Sequence, residues 1–118
     1  MVTISSHTLD SVNGAHAAGI EVELLRLDDA GGRTHVFATQ TDPDGRLLEE
    51  IEVTPEQLSA RYEMVLSTGP YFAGHTSGPF AERIMDEVVV RFRIPATDAK
   101  IHIPMMLAPN SYSVWWSA

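Results

Sequence analysis

The 118-residue sequence contains no cysteine. This absence excludes disulfide bonds, thiolate nucleophiles and cysteine-ligated zinc sites from the chain. The sequence also has no apolar run of the length that a transmembrane helix needs. Its first stretch, MVTISSHTLD, has neither the basic segment nor the apolar core of a secretory signal. We therefore expect a cytoplasmic protein that has no membrane partner.

Basic residues are scarce in this chain. The 8 Lys and Arg are outnumbered by 16 Asp and Glu, so the formal net charge is −8. A negative chain repels polyanions, and this charge argues against nucleic acid or an anionic membrane surface as a partner. An anionic small molecule would need a local cation in order to bind.

Alternating apolar side chains indicate β-strands along most of the chain. In EVVVRFRI, the residues Val88, Val90, Phe92 and Ile94 would share one face of a strand. The segments RYEMVL and IEVELLRL alternate in the same way, and DDAGGR, TDPDGR and APNS supply turns between strands. This spacing predicts an all-β protein with one domain over residues 1–118. We expect a two-sheet antiparallel β-sandwich.

Two segments depart from the strand pattern. The stretch TGPYFAGH is rich in glycine and proline, and we predict one short helix over residues 70–75. The stretch TPEQLSARY predicts a capped helical turn. Thr54 would be its N-cap, and the Gln57 side chain would return to the main chain of the cap.

Alternation along the first and last strands defines one outward face. The segment KIHIPMML turns four apolar side chains toward the core, namely Ile101, Ile103, Met105 and Leu107. Its outward positions are His102, Pro104 and Met106. In SYSVWW the inward residues are Tyr112, Val114 and Trp116, and the outward residues are Ser111, Ser113 and Trp115. At the amino end the inward residues are Val2 and Ile4, and His7 points outward.

The outward face is therefore predicted to carry His7, His102, Met106, Ser113 and Trp115. Methionine and tryptophan are unusual on a sheet face that meets only water, which indicates a surface covered by another subunit. One interpretation is a plain oligomer interface. The other is an interface that also encloses a polar site supplied by the two histidines.

Two histidines and one arginine are the candidate chemical groups. Imidazole titrates near neutral pH, so His7 and His102 can serve as general base and general acid. The alternative is a pair of interface histidines satisfied by hydrogen bonds. Arg46 can stabilise a developing oxyanion, or it is simply an exposed residue after a turn.

The sequence predicts neither a serine nucleophile nor a metal site. Ser111 and Ser113 lack the Gly-x-Ser-x-Gly elbow and an acidic partner that would mark a serine nucleophile. The remaining histidines, at positions 16, 35 and 75, have no spacing typical of metal ligands. We therefore expect chemistry that uses neither a metal ion nor a cofactor.

Five segments, in order and along essentially the whole chain, resemble the transthyretin-like family, specifically its 5-hydroxyisourate hydrolase branch. They are SSHTLD, GAHAAGIEVELLRL, TDPDGR, STGPYF and IHIPMMLAPNSYS. The resemblance implies an eight-stranded sandwich with a short helix after the fifth strand. It also implies a homotetramer, a dimer of dimers, whose central channel is lined by the outer face of one sheet. The implied activity is hydrolysis of 5-hydroxyisourate in purine (urate) catabolism.

The resemblance carries three catalytic positions onto this chain. The histidine of the amino-terminal motif falls on His7, the arginine that ends TDPDGR falls on Arg46, and the histidine before Ile-Pro falls on His102. These matches favour the hydrolase branch over the hormone-carrier branch. One nearby residue departs from the family, because His16 stands where the family usually has proline.

The carboxyl end departs more strongly. Trp115, Trp116, Ser117 and Ala118 stand where the hydrolases have Tyr, Arg, Gly and Ser. Trp115 keeps a flat aromatic ring that can stack on a planar heterocycle. Trp116 removes a cation that an anionic purine derivative would meet. We predict substrate contacts from Ser113, Trp115 and Trp116, although alternation turns Trp116 toward the core.

The altered end leaves three functions open beside the leading one. A diverged hydrolase would open a different cyclic amide, imide or lactone. A non-catalytic relative of transthyretin would bind an aromatic small molecule. A structural tetramer would retain the fold with an inactive site.

Overall fold

The computed structural model describes residues 1–78 and 82–117 of the chain. Within these ranges the chain forms ten strands and two short helices, which turns and loops connect. The first five strands are β1 (Val2–Asp10), β2 (Ala15–His16), β3 (Glu21–Leu27), β4 (Arg33–Gln40) and β5 (Arg46–Ile51). The others are β6 (Arg61–Ser67), β7 (Val88–Phe92), β8 (Lys100–His102), β9 (Met105–Ala108) and β10 (Ser111–Val114). A 3₁₀-helix spans Pro55–Ser59, and helix α1 spans Thr68–His75.

The strands form two sheets, which confirms the predicted β-sandwich. One sheet has the order β4-β3-β6-β7, and all of its neighbours are antiparallel. The other is built around β1, which pairs antiparallel with β5 and β2 and parallel with β8 and β9. β10 completes this sheet by pairing antiparallel with β9. The second sheet is therefore mixed at its centre.

Both helical predictions are confirmed. Helix α1 begins at Thr68, slightly before the predicted start, and ends at the predicted His75. At the 3₁₀-helix, the N–H of Thr54 donates to the side-chain oxygen of Gln57 at 3.0 Å. This bond satisfies one main-chain donor that the helix start would otherwise leave free.

Pro104 divides what the sequence predicts as one strand into β8 and β9. Proline has no N–H to donate to a neighbouring strand, so the ladder is interrupted there. The N–H of Ile103 still donates to the Ser5 carbonyl at 2.9 Å, and pairing resumes where Met105 lies opposite Thr8. Pro104 is buried, although alternation predicts an outward side chain.

The predicted core is confirmed along the segments of β1, β8 and β9, and in β10 at Val114, which is half-buried against the core. Buried between the sheets are Val2, Ile4, Ile101, Ile103, Met105 and Leu107. The inward predictions for Tyr112 and Trp116 are wrong, because these side chains are 44% and 68% exposed. β10 is an edge strand and ends at Val114, after which the chain bends toward β8. The N–H of Ser117 donates to the His102 carbonyl at 2.8 Å.

A buried carboxylate joins three strands of the first sheet. Glu63 on β6 lies outward, as the alternation of RYEMVL predicts, yet it is only 4% exposed. Arg33 of β4 donates to its Oε2 at 2.7 Å, and Arg91 of β7 donates to its Oε1 at 2.6 Å. The hydrogen bonds from Arg91, together with both positive charges, hold the pKa of Glu63 below its usual value despite burial.

Replacing Glu63 with glutamine is expected to lower the free energy of unfolding by about 1 kcal/mol near neutral pH. The loss is modest because both guanidinium groups are about half exposed and remain hydrated. Since folding lowers the pKa of Glu63, its stabilisation is present above the unfolded value of 4.5 and is lost as the pH falls below it. Urea unfolding of both proteins at about pH 7 and about pH 3.5 measures this difference. An equal difference at both pH values would contradict the assignment.

Candidate functional site

The predicted outward face exists, and strand register arranges its side chains in rows across the sheet. His7 on β1 lies directly opposite Arg46 on β5. Ser5, on the same face of β1, lies opposite His102 on β8. Opposed residues on one sheet face have Cβ atoms about 5 Å apart. The register therefore gathers the two histidines and the arginine at neighbouring positions.

A second row crosses the same face one step along β1. Leu9 is flanked by His16 on β2 and Met106 on β9, and Met106 is in turn paired with Ser113 on β10. Met106 is 44% exposed, so this row is apolar in its middle and open to solvent in the single chain. The predicted placement of Met106 and Ser113 on this face agrees with the register.

The TDPDGR turn fixes the position of Arg46. One Asp42 carboxylate oxygen accepts the N–H groups of Asp44 and Arg46, each at 2.9 Å. Gly45 adopts a φ of +73°, and a Cβ at this position would clash with the main-chain oxygen of Thr8. Only glycine satisfies both conditions without strain. The turn therefore delivers the exposed Arg46 side chain opposite His7.

His102 is oriented by the strand beside it. Its Nδ1 lies 2.8 Å from the Ser5 hydroxyl oxygen, and its carbonyl accepts the Ser117 N–H. With Nδ1 engaged, Nε2 is the ring nitrogen left for a ligand or water. An open recess of about 600 Å³ lies over His102, Arg46 and Ser5.

His7 is held in its neutral form near neutral pH. Partial burial lowers the pKa of His7, and the positive charges of Arg46, His16 and His102 lower that pKa further. The main chain of Asp44 acts in the opposite direction but does not reverse the shift. A neutral imidazole has a free lone pair, so His7 can accept a proton under these conditions.

Sequence reasoning assigned no role to His16, which lies beside His7 in the structure. Its Nδ1 is 3.1 Å from the Nε2 of His7, and the two ring centroids are 5.2 Å apart. The signal that could have located it is the Asn-Gly pair of SVNG, which is typical of a tight hairpin turn. That hairpin folds residues 15–16 back along β1.

The other two histidines lie away from this face. His35 on β4 is exposed, with Nε2 3.5 Å from a Glu23 carboxylate oxygen in the other sheet. His75 stacks on Tyr71 within helix α1, with ring centroids 4.0 Å apart. Both side chains are exposed.

The two indoles line a different cavity from the recess over His102. This cavity of about 690 Å³ opens between the sheets, and its walls include Trp115, Trp116, Phe92, Ile94, Ile101, Ile103 and Val114, with Arg93 and Lys100 also lining it. Trp115 is 45% exposed. Alternation predicted Trp115 beside His102 on the outward face, and the structure departs from this because residue 115 lies beyond the end of β10.

Within the described ranges, 1–78 and 82–117, no three His, Asp or Glu side chains are close enough together to hold a metal ion. No helix in those ranges is long and apolar enough to cross a membrane.

Comparison with known proteins relates this arrangement to a family. The sequence model of the HIUase/transthyretin family matches residues 4–116. A 5-hydroxyisourate hydrolase from Mesorhizobium japonicum is 31% identical over 112 residues, which is 95% of this chain and 89% of that protein. The solved structure of Klebsiella pneumoniae 5-hydroxyisourate hydrolase is 25% identical, with a TM-score of 0.77 and 100% of each chain covered.

A larger solved protein contains a similar fold. The crystal structure of (S)-allantoin synthase matches 99% of this chain at 28% identity and a TM-score of 0.77. The present chain covers 44% of that protein, and so corresponds to less than half of it. The family match extends over nearly the whole sequence, and the solved structures have the same two-sheet fold. The chain belongs to the HIUase/transthyretin family.

Proposed function

We propose that residues 1–118 form a single domain that hydrolyses 5-hydroxyisourate, a planar cyclic amide, in cytoplasmic purine (urate) catabolism. Family membership and the relatives named 5-hydroxyisourate hydrolase support this function. The observation that carries it is the grouping of His7, Arg46 and His102 on one sheet face. In a chain of net charge −8, Arg46 also supplies the local cation that an anionic ring requires.

The proposed mechanism is attack of water on a ring carbonyl without a cofactor. His7 is the proposed base, because its lowered pKa keeps it neutral, and it takes one proton from the attacking water. The resulting oxygen bonds to the carbonyl carbon while Arg46 donates hydrogen bonds to the developing oxyanion. As the C–N bond breaks, His102 donates a proton to the departing ring nitrogen, and the opened ring is released.

We extend the proposal to a homotetramer, a dimer of dimers, that encloses the outward face in a channel. Met106 and Leu48 are 44% and 65% exposed on this face in the single chain. Apolar side chains exposed together are typical of a surface that a second subunit covers. Size-exclusion chromatography with light scattering should give the mass of four chains, and a monomer would contradict this part of the proposal.

We also propose that the substrate contacts Ser113, Trp115 and Trp116. Ser113 shares a cross-strand row with Met106 and His16, and the Ser117 main chain holds the indole-bearing segment beside His102. Replacing Trp115 and Trp116 together by alanine is expected to raise KM by about three- to tenfold, because stacking on a planar ring is lost. The kcat should change less, since binding of the substrate and of the transition state weakens alike.

Steady-state kinetics on the double variant measures this split between KM and kcat. Tyr112→Ala is the matched control, because Tyr112 is an exposed aromatic residue of β10 that the proposal does not use. A similar change in KM for the control would remove the indoles from the proposed site.

Turnover of the named substrate tests the function directly. 5-Hydroxyisourate is generated from urate by urate oxidase, and its ultraviolet absorbance is followed with and without the protein. Accelerated decay is the expected result. If decay is unchanged, with acceleration also absent for related cyclic imides and lactones, the hydrolase assignment is wrong.

Binding without catalysis is the second candidate function. The cavity of about 690 Å³ with two indoles favours it, since flat aromatic molecules stack on such side chains. A binder would quench tryptophan fluorescence in a saturable way and form no product. This outcome, together with failure of the turnover test, would favour the carrier over both the proposed hydrolase and a diverged one.

A further inference from the structure

His7 and His16 are within hydrogen-bonding distance through ring nitrogens. The Nε2 of His7 and the Nδ1 of His16 are 3.1 Å apart, and the rings are inclined by 31°. A neutral imidazole has one N–H donor and one lone pair, so a bond between two neutral rings requires one nitrogen to donate and the other to accept. One proton therefore lies between these two nitrogens.

The hairpin that carries His16 is firmly attached to β1. His16 is the cross-strand partner of Leu9, and the next residue, Ala17, makes two hydrogen bonds with Thr8. The Ala17 N–H donates to the Thr8 carbonyl at 3.0 Å, and the Thr8 hydroxyl donates to the Ala17 carbonyl at 2.9 Å. The Thr8 side chain is fully buried. The main chain thus fixes His16 where its ring reaches His7.

Two arrangements of the shared proton are chemically distinct. If His16 donates, the only lone pair of neutral His7 is directed at His16, and no lone pair remains for water. If His7 donates from Nε2, its Nδ1 lone pair is not directed at His16 and can accept a proton from water, and the main chain of Asp44 then stabilises the protonated ring. Only the second arrangement is compatible with His7 as a general base.

We propose that His16 is a positioning residue that accepts the Nε2–H of His7, fixes the tautomer that leaves Nδ1 as the base, and shares the proton that His7 takes up. The inference rests on the proposed hydrolase function. Water gives a proton to Nδ1, and the Nε2 proton shifts toward His16. The shift reverses when His7 releases its extra proton to solvent after the opened ring has left, and His102 regains from solvent the proton that it gave to the ring nitrogen.

Four groups near His7 affect its pKa. They are Arg46 on β5, His16 on β2, His102 on β8 and the main chain of Asp44 in the turn. A second positive charge on His16 opposes the protonation of His7. Replacing His16 with a residue that carries no charge should therefore raise the pKa of His7.

Two substitutions separate positioning from proton sharing. His16→Asn keeps an amide oxygen near the Nδ1 position, so it can still accept the Nε2–H of His7, but it does not titrate. His16→Ala removes both properties. His35→Ala is the matched control, since His35 is an exposed histidine of the other sheet.

Ring-nitrogen NMR titration of the intact protein is the primary measurement. In the wild type, His7 is expected to be in the Nε2–H tautomer when it is neutral. In His16→Asn, His7 should keep this tautomer and titrate at a higher pKa. In His16→Ala the tautomer preference should be lost. Identical His7 titrations in the wild type and both variants would overturn the proposal.

The pH profile of kcat/KM provides the second readout. The acidic limb of the profile is expected to move to higher pH in both variants, because His7 then loses its proton at higher pH. Above that limb, His16→Asn should retain most of the wild-type rate, and His16→Ala should lose about tenfold. The NMR result does not depend on turnover, so a protein that fails to hydrolyse 5-hydroxyisourate refutes the proposed function while the titration still decides whether the pair exists.

Discussion

Replacing His102 with alanine is expected to lower kcat/KM for 5-hydroxyisourate by about 10²–10⁴-fold. The proposed mechanism needs an acid at the departing ring nitrogen, and His102 is oriented for this role by the Ser5 hydroxyl at 2.8 Å. Its side chain is partly buried on the outward face and makes no core contact that the fold requires. The variant should therefore fold normally, and its unfolding curve should overlay that of the parent.

Two further variants make this result specific. Ser5→Ala removes only the hydrogen bond that orients the ring, so it should lower kcat/KM by about tenfold and leave the acid in place. His35→Ala removes a histidine from the opposite sheet and should have the activity of the parent. If His102→Ala also retained the parental rate, His102 could not be the proton donor, and the grouping on this face would need another explanation.

The outward face was predictable because alternation is a local rule. Side chains of one strand point to opposite sides, so the inward residues Val2 and Ile4 fix the outward position of His7 without any knowledge of the partner strand. The contact between His7 and Arg46 was not predictable in this way. It depends on which residues of β1 and β5 are paired, and that register is set by the whole sheet. Only the family resemblance associated the two residues.

Predictions from alternation failed where no second layer covers the strand or where the strand is interrupted. Alternation predicts burial only if another layer covers the inward face, and the end of β10 lies at the edge of its sheet. Tyr112 consequently stays exposed although its partner Leu107 is buried. At Pro104 the strand itself is interrupted, and this one side chain is buried although alternation predicts it outward, while Met105 and Leu107 beyond it are buried as predicted. His16 was missed for a third reason, since its role arises from a hairpin contact rather than from a motif.

Replacing Asp10 with alanine is expected to lower the free energy of unfolding by about 3 kcal/mol near neutral pH. Asp10 ends β1 and is only 1% exposed. Its carboxylate accepts the Tyr71 hydroxyl at 2.8 Å, the Asn13 amide at 2.7 Å, and the main-chain N–H groups of Val12 and Asn13. One side chain thus holds both the hairpin turn and helix α1, and its loss leaves several donors without an acceptor.

The pH dependence of this loss identifies the ionised carboxylate as its cause. Burial alone would raise the pKa of Asp10, but the hydrogen bonds from Asn13, Tyr71 and Val12 together hold it below its usual value. Its stabilisation is therefore present above the unfolded value of 3.8 and disappears as the pH falls through the lower folded value. Urea unfolding across this range should show the Asp10→Ala difference shrinking toward acid pH.

Tyr71→Phe separates the helix contact from the turn. It removes one hydrogen bond to Asp10 and should cost about 1 kcal/mol, with the turn intact. Because the Asp10 turn precedes His16, Asp10→Ala should also loosen the His7–His16 contact, whereas Tyr71→Phe should not. Ring-nitrogen NMR on both variants distinguishes the two cases. Loss of the Nε2–H tautomer of His7 in Asp10→Ala alone would show that the hairpin turn positions His16, and its retention in both variants would limit the role of Asp10 to folding.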